Sequence, residues 1–573
     1  MTELVSSIAK LNPFSKTSKV DDEDKGEAID ANTVAGGGHA TRRSNITKDR
    51  LRVSPALKTF LYKENILSKG DAGVDTDEAS VALKKLLDKS HVNVPPQVLD
   101  RNYPLPEYFI SSSHNTYLMA HQLYGTSCAS AYEIALYTGS RCVEIDAWDS
   151  DDNKDEPKVT HGYTLVSNIP FRQVCETIRD VVDQEAARDI EAAPILISLE
   201  NHCGAHGQSR LAQIMREVFQ HRLLSKAVRE KGHREQVGLG DHVTLAELGN
   251  KIVVIVEYHL PNEEESSSGS DSSDDEDAKQ AHKDYHNKKQ NAPKGVIVPE
   301  LAELGVYAQS VKPVNNSWFE ADLENAPHHQ LINVSETGLK ALLPANSPRI
   351  ARHNAHHLMR IYPKGTRITS KNLQPVPFWG IGAQICALNW QSFGASSQIN
   401  EALFAGSGGY VLKPAALRAG GSGDLSTGRR KKLRLHIAGA TDVPLPGDRD
   451  ADDIKPYFTC TLVHPTDMNN MPPKRKTAPY KPHRLTGFMH KDNSPAKDPI
   501  WKEVLEWDYD DNELVFLRML IKSDDSFARN PLFAVSAVRL MYVVPGWTFI
   551  RMLDLGGHET TCTVLVKFEF EDI

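Results

Sequence analysis

Between Pro104 and Val256, and again from 296 to about Arg418, short apolar segments alternate with amphipathic ones, and no other feature limits the fold of this chain so strongly. Arg141–Asp146, Ala193–Leu199 and Lys251–Val256 have the length and apolar content of buried strands. Phe171–Val182 and Ser209–Leu224 have helical periodicity and lie between them. Strand, helix, strand repeated over such a length predicts a parallel α/β sheet, and a TIM-type barrel fits the size. The barrel is expected in two halves, 98–260 and 296–418, separated by a linker over 261–295. Within that linker Glu263–Asp277 reads EEESSSGSDSSDDED, with eight acids and no base. Such a segment cannot bury enough apolar surface to offset the entropy of ordering it, so it is predicted to be a disordered spacer.

Other parts follow from composition shifts. Residues 1–50 lack an apolar pattern and read as a tail. Residues 51–97 read as helical, with Leu57, Phe60 and Leu61, then Val81, Leu83, Leu86 and Leu87, at roughly helical spacing. Asp71–Glu78 between them has the acids of a calcium loop but neither the regular alternation of oxygen ligands nor the central glycine, so a structural helical pair is expected. A Gly/Ser linker spans 419–430. From 431 to 573, strand-like Lys432–Ile437, Tyr457–Val463, Val515–Ile521 and Thr563–Phe570 with Asp/Pro/Gly turns predict an all-β sandwich.

Charge and cysteine usage narrow the class. The net charge is −9, and without the eight acids of the linker the remainder is near −1, which does not suit a nucleic-acid binder. No apolar run reaches the length of a membrane span, and Met1–Phe14 does not read as a secretory leader. The seven cysteines form no CxxC pair and read as reduced thiols of a cytoplasmic protein.

Polar residues gather where the strands should end. Ser113-His114-Asn115-Thr116 follows Tyr108–Ile110. Glu144 and Asp146 are two apart and face the same way. His161-Gly162-Tyr163 follows a charged loop, and Glu200-Asn201-His202 ends the strand Ile195–Leu199. A barrel brings the C-terminal ends of its strands to one face. Asn115, Glu144, Asp146 and Glu200 could then converge on a hard cation, Ca²⁺ or Mg²⁺ rather than zinc, with histidines beside it for proton transfer. Each residue alone would pass for an ordinary strand-end polar group. Inward carboxylates on adjacent strands, however, are costly unless paired or metal-bound.

ISSSHNTYL, CVEIDAWD, HGYT, ISLENHC, RIYPKGTRI and GYVLKP together resemble eukaryotic phosphoinositide-specific phospholipase C, a family whose barrel halves are called X and Y. The sandwich resembles the family's C2 domain, and 51–97 a reduced EF-hand region, as in the small delta-like and fungal forms. The resemblance implies Ca²⁺ on Asn115, Glu144, Asp146 and Glu200. It implies Glu144 as general base, His161 as the acid for the leaving glycerol oxygen, and His114 at the pentacoordinate phosphorus. Diacylglycerol and an inositol phosphate would form through a cyclic phosphodiester. Ser335, Arg360 and Tyr362 match residues that hold the inositol headgroup, whereas Ile255 and Glu257 stand where two phosphate-binding lysines belong. Leu123, Tyr163, Leu165 and Leu342 match an apolar rim that meets the membrane, with Thr366 in place of an aromatic.

The expected partners are an inositol phospholipid and an anionic membrane surface, to which the protein would be recruited. The basic tracts Arg429–Lys432 and Lys474–Lys476 read as solvated loops or membrane contacts. Lys455 and Ser523 replace the acids that a calcium-binding C2 domain uses, and Asp525 keeps its own, so the sandwich is expected to be structural. Two alternatives stand beside this reading: a glycerophosphodiester phosphodiesterase and a catalytically silent lipid-binding scaffold. The acids of Glu263–Asp277 would be repelled by anionic lipid. Deleting them should raise activity on anionic vesicles more than on a soluble monomeric substrate, measured side by side; equal effects would mark a plain spacer.

Overall fold

The computed structural model describes residues 50–76, 78–118, 127–160, 167–188, 192–229, 243–257, 296–311, 318–320, 329–363, 372–445, 450, 453–468, 472–482, 494–524 and 531–573. The expectations for the tail, the acidic segment, His161, Leu123, Tyr163, Leu165, Thr366 and Asp525 lie outside them.

The first half of the barrel contributes β1 (Tyr108–Ile110), β2 (Ser113–His114), β3 (Cys142–Trp148), β4 (Lys158–Val159), β5 (Ile169–Pro170), β6 (Ile195–His202) and β7 (Ile252–Glu257). The second contributes β8 (Gln309–Val311), β9 (Gln330–Ser335), β10 (Leu358–Tyr362), β11 (Ile385–Cys386), β12 (Leu388–Asn389) and β13 (Tyr410–Leu412). The sheet runs β13-β1-β11-β10-β9-β8-β7-β6-β3-β4-β5. A parallel bridge from Ser112 to Cys142 joins the β1 segment to β3, so the eight strands β1, β3, β6, β7, β8, β9, β10 and β11 form a parallel ring.

Alternation along each strand sorts the side chains. Val143, Ile145 and Ala147 of β3 pack outward against the helices, and Cys142 faces the interior with Leu196, Val253, Ile255, Leu331 and Leu358. Glu144 and Asp146 share the parity of Cys142, so the pleat carries them inward above that apolar floor. The outer helix Phe171–Ala187 buries Phe171, Val174, Cys175, Ile178, Val181 and Val182 at the spacing of one helical face. Each such side chain contributes about 1.5–3 kcal/mol on full burial. Glu185 of the same helix is buried and pairs with Arg141 (2.5 Å), which fixes the chain just before β3.

Eight antiparallel strands build the sandwich: β14 (Arg430–Thr441), β15 (Pro456–Val463), β16 (Lys474–Lys476), β17 (Ile500–Asp510), β18 (Phe516–Ser523), β19 (Leu532–Arg539), β20 (Gly546–Leu553) and β21 (Glu559–Asp572). The pairing of Val535 with Leu553 connects the two four-stranded leaves. The basic tract read as a loop is largely the start of β14. Its cations face acids on the neighbouring segment, Lys431 at 3.2 Å from Asp511 and Lys432 at 3.7 Å from Asp508, because strand pairing brings the two charged ends together. Lys474–Lys476 is an exposed edge strand rather than a loop. Lys455 and Ser523, at the sandwich end, are joined to each other (backbone N–H of Lys455 to Ser523 Oγ, 2.9 Å).

Before the barrel, the helices Pro55–Lys63, Lys69–Ala72 and Val81–Asp88 are each N-capped by a serine, Ser54, Ser68 and Ser80. Asp71 accepts from the Ser68 hydroxyl and Asp75 pairs with Lys69, so two of the four acids of the calcium-loop-like stretch have local partners. These helices pack on the sandwich, where Val53, Leu57, Leu61 and Leu83 meet Ala438, Phe549 and Leu565. Arg52 bridges Asp442 and Asp498 at 2.6 and 2.7 Å.

The sandwich in turn grips the barrel. Phe516 is fully buried against Trp379, and Arg518 donates to Gln398 (2.7 Å). Removing the Phe516 ring leaves a cavity at that junction. Phe516→Ala should therefore cost about 3–5 kcal/mol of stability, read as a lower midpoint of urea unfolding.

Candidate active site

The inward polar residues meet at the C-terminal ends of β3 and β6. Strand register places Asp146 opposite Glu200, and ligand oxygens of Glu144, Asp146 and Glu200 all lie within 4.8 Å of one another. Glu144 is buried, and its two oxygens are held from opposite sides. Oε2 accepts from the backbone N–H of Asn115 (2.7 Å) and Oε1 from Arg360 Nη2 (2.5 Å). Asn115 turns its N–H this way by adopting a left-handed backbone, φ +46°, which asparagine tolerates better than most residues.

Asp146 is buried too. Its Oδ2 accepts from the Tyr117 hydroxyl (2.6 Å), and that hydroxyl also lies 3.3 Å from Asn115 Oδ1. Asp146 Oδ1 is buried with no hydrogen-bond partner among the described residues. Burial, then the charges of Glu200 and Glu144, push the Asp146 carboxyl well above the ordinary range. Burial and the nearby Asp146 likewise raise the Tyr117 phenol. Burial works against the charge of Arg360, but Glu144 and Glu200 outweigh it and hold the guanidinium above its ordinary value. Three converging carboxyl groups, an amide oxygen and an orphaned carboxylate oxygen suit a hard divalent cation, which takes oxygen donors and offsets their mutual repulsion.

His114 stands at the rim. Its Nδ1 lies 2.8 Å from Asn389 Oδ1 on β12, and its Nε2 lies 3.9 Å from Glu144 Oε2. Since an amide oxygen only accepts, Nδ1 carries a proton and Nε2 points toward the carboxylate. Asn389 is fixed by Asn372, which exchanges two hydrogen bonds with its backbone (2.5 and 3.0 Å). Gln391 donates to the carbonyls of Asn115 (3.0 Å) and Leu118 (3.2 Å), so the second half also steadies the loop bearing Asn115. Sequence reasoning missed Asn389 and Gln391; the available signal was these two polar residues on either side of Trp390, just after the apolar Ile385–Leu388.

The headgroup residues are placed less uniformly. Tyr362 and Ser335 are register partners at the ends of β10 and β9, both half-buried. The Ser335 hydroxyl caps the short helix Glu336–Lys340 by accepting from the Gly338 N–H (3.1 Å). Arg360 is engaged inside the barrel with Glu144 and with Asn333 (3.2 Å), because a guanidinium at 1% exposure needs a carboxylate beside it. Leu342 is partly buried against the second-half core.

Two family models match the barrel. One, described as phosphatidylinositol-specific phospholipase C, X domain, covers residues 101–258, and its Y-domain counterpart covers 301–416. The chain belongs to this phospholipase C family. It is 28% identical over 552 residues to 1-phosphatidylinositol 4,5-bisphosphate phosphodiesterase 1 of Candida albicans, covering 82% of this chain and 48% of that protein. It is 29% identical over 496 residues to the delta-1 enzyme of that name from Rattus norvegicus, covering 82% and 61%. The chain thus spans about half to three fifths of the length of these relatives. The crystal structure of S. officinalis PLC21 is similar over 93% of this chain and 64% of that one, with a TM-score of 0.68 and 25% identity.

Within this phospholipase C barrel the Asn389–His114 contact carries its own test. Asn389→Ala should lower turnover about 10- to 100-fold, as loss of an imidazole's orienting partner does. The calcium concentration giving half-maximal rate should stay unchanged, and Asn389→Asp, which keeps an acceptor, should recover part of the rate. Steady-state assays across a calcium series read both.

Proposed function

We propose that this chain hydrolyses inositol phospholipids in a calcium-dependent reaction, releasing diacylglycerol and an inositol phosphate by way of a cyclic phosphodiester. The observation that carries the reading is the convergence of Glu144, Asp146 and Glu200 beside His114 at the barrel mouth, in a chain of the phospholipase C family.

Asn115, Glu144, Asp146 and Glu200 are the residues that would hold Ca²⁺. When bound, the ion would lower the pKa of the inositol 2-hydroxyl and offset charge on the phosphoryl oxygens. Glu144 takes the proton of that hydroxyl while its oxygen attacks phosphorus. The bond from phosphorus to the glycerol oxygen breaks, and His161 is assigned the proton that this oxygen gains. That assignment rests on the family resemblance, since His161 lies outside the described residues. His114, held by Asn389, donates to the phosphoryl oxygens as negative charge grows on them. Arg360 keeps Glu144 in place from behind and counterbalances its charge before substrate arrives. Water then opens the cyclic product, with the same acid and base exchanging roles.

The substrate lies in a bilayer, so the protein would act from the membrane surface. Among the described residues no helix is long and apolar enough to cross a membrane, and the exposed basic edge Lys474–Lys476 offers charge to anionic lipid.

Release of diacylglycerol from inositol-lipid vesicles, with and without Ca²⁺, tests the reading; a chain that binds vesicles and releases none would be a scaffold. Asp146→Ala and Glu200→Ala should each cut calcium-dependent turnover about a hundredfold or more. Both variants should stay folded, because each loses a mutually repelling carboxyl group rather than core packing. The wild type should melt higher when Ca²⁺ is added and Asp146→Ala should not, by the linkage of binding to stability. Wild-type rates in either variant at the same calcium would remove the ligand assignment.

A further inference from the structure

Three consecutive residues of the loop after β2 reach across to β3. The backbone N–H of Asn115 donates to Glu144 Oε2 (2.7 Å), and the Thr116 hydroxyl accepts from the Glu144 N–H (3.0 Å). The Tyr117 hydroxyl donates to Asp146 Oδ2 (2.6 Å) and lies 3.3 Å from Asn115 Oδ1, so one phenol touches the side chains of two residues suited to hold a cation. Tyr117 is anchored along its length. Its ring is fully buried in the apolar cluster of Tyr132, Leu136, Val143 and Ile145. Its carbonyl accepts from the Cys128 N–H (2.9 Å), and the nearby carbonyls of Asn115 and Leu118 accept from Gln391. A phenol held in this way presents its oxygen at one place. Asp146 can turn about its Cβ–Cγ bond only by breaking the hydrogen bond on Oδ2. With Oδ2 engaged, Oδ1 is the oxygen left for a cation, buried and with no hydrogen-bond partner among the described residues.

We infer that Tyr117 is a positioning residue of the cation site: by holding Oδ2 it makes Asp146 a single-oxygen ligand of fixed orientation, and so sets the affinity for Ca²⁺ without touching the substrate. This rests on the reading of Asn115, Glu144, Asp146 and Glu200 as the calcium ligands. Ca²⁺ accepts a carboxylate through one oxygen or through two, so the protein has to choose between them. Glu144 and Glu200 bring like charges within 4.8 Å of Asp146, and an untethered carboxylate would turn away from them. Binding would then have to restore its orientation first. The tether removes that cost in advance, as preorganisation of a site does.

The test uses the full chain and Tyr117→Phe, which keeps the ring and its packing and removes the hydroxyl alone. Tyr132→Phe is the comparison, because that phenol is equally buried but donates to the backbone carbonyl of Glu144 (2.8 Å) and to no ligand side chain. Calorimetry without lipid reads Ca²⁺ binding, and diacylglycerol release from inositol-lipid vesicles is followed across a calcium series. Tyr117→Phe should weaken Ca²⁺ binding about 10- to 100-fold, as loss of a ligand's orienting partner does, and raise the calcium midpoint of turnover by the same factor. At saturating Ca²⁺ its rate should return to that of the wild type, because the hydroxyl makes no contact that belongs to the transition state alone. Tyr132→Phe should lower the melting temperature and leave the calcium midpoint in place. Equal Ca²⁺ affinity in the wild type and Tyr117→Phe, or the same weakening in both variants, would overturn the inference, the latter because loosened packing would account for it. A wild type that binds Ca²⁺ but releases no diacylglycerol would remove the hydrolase reading, and the calorimetric comparison would still decide the role of Tyr117. A wild type that binds no Ca²⁺ would overturn both.

Discussion

The contact on which the rest depends is the ion pair between Glu144 of the first barrel half and Arg360 of the second, each 1% exposed. Taking two charges out of water costs several kcal/mol apiece, and breaking such a pair by removing one partner typically costs about 3–5 kcal/mol. A barrel closed with either side chain left alone would carry that cost. Once the two meet, Glu144 is gripped from behind by Arg360 and from the side by the Asn115 N–H. The same bond that closes the fold aims the carboxylate. Asn389 and Gln391 repeat this pattern on His114 and on the Asn115 loop, so residues of one half hold polar groups of the other.

Around that pair the site stores repulsion. Asp146 and Glu200 face each other across neighbouring strands, and Asp146 keeps one oxygen unpartnered among the described residues. Tyr117 relieves part of this by donating to Asp146, at the cost of burying its own phenol. The apolar floor of Cys142, Leu196, Val253 and Leu331 beneath excludes water and sharpens every charge above it. A cation would discharge the arrangement, and the rigid strands leave the carboxyl groups little freedom to move apart.

Much of the barrel and its acids was legible because the relevant strands are long and regular. β3 and β6 each carry apolar residues on both faces until the polar groups break in at the C-terminal end, and the two-residue period gave their shared direction. What stayed hidden was pairing. β11 and β12 are two residues each, too short to show a period, so nothing in the sequence puts Asn389 on a strand. The partner of Arg360 could not be read, because Glu144 lies 216 positions away and only ring closure brings them together. In the sandwich, β17 places Trp501, Leu505, Trp507 and Tyr509 in the core with charges opposite. That strand, with β16, β19 and β20, lacks a pattern that stands out in the sequence, and the basic start of β14 reads as a loop because its neutralising acids belong to β17 and the residues just after it.

The attachment of the first helices to the last domain has a consequence for biosynthesis. Arg52 finds Asp442 at a separation of 390 residues, and Lys89 receives the Thr548 hydroxyl at 459. At roughly 5–20 residues per second, a ribosome needs roughly 25–100 s to deliver the surface that covers Leu57, Leu61 and Leu83. For that interval the opening segment must wait with its apolar face bare while both barrel halves emerge. The helices from Pro55 to Asp88 thus stay open to wrong partners until the sandwich, a late clasp, ends the exposure.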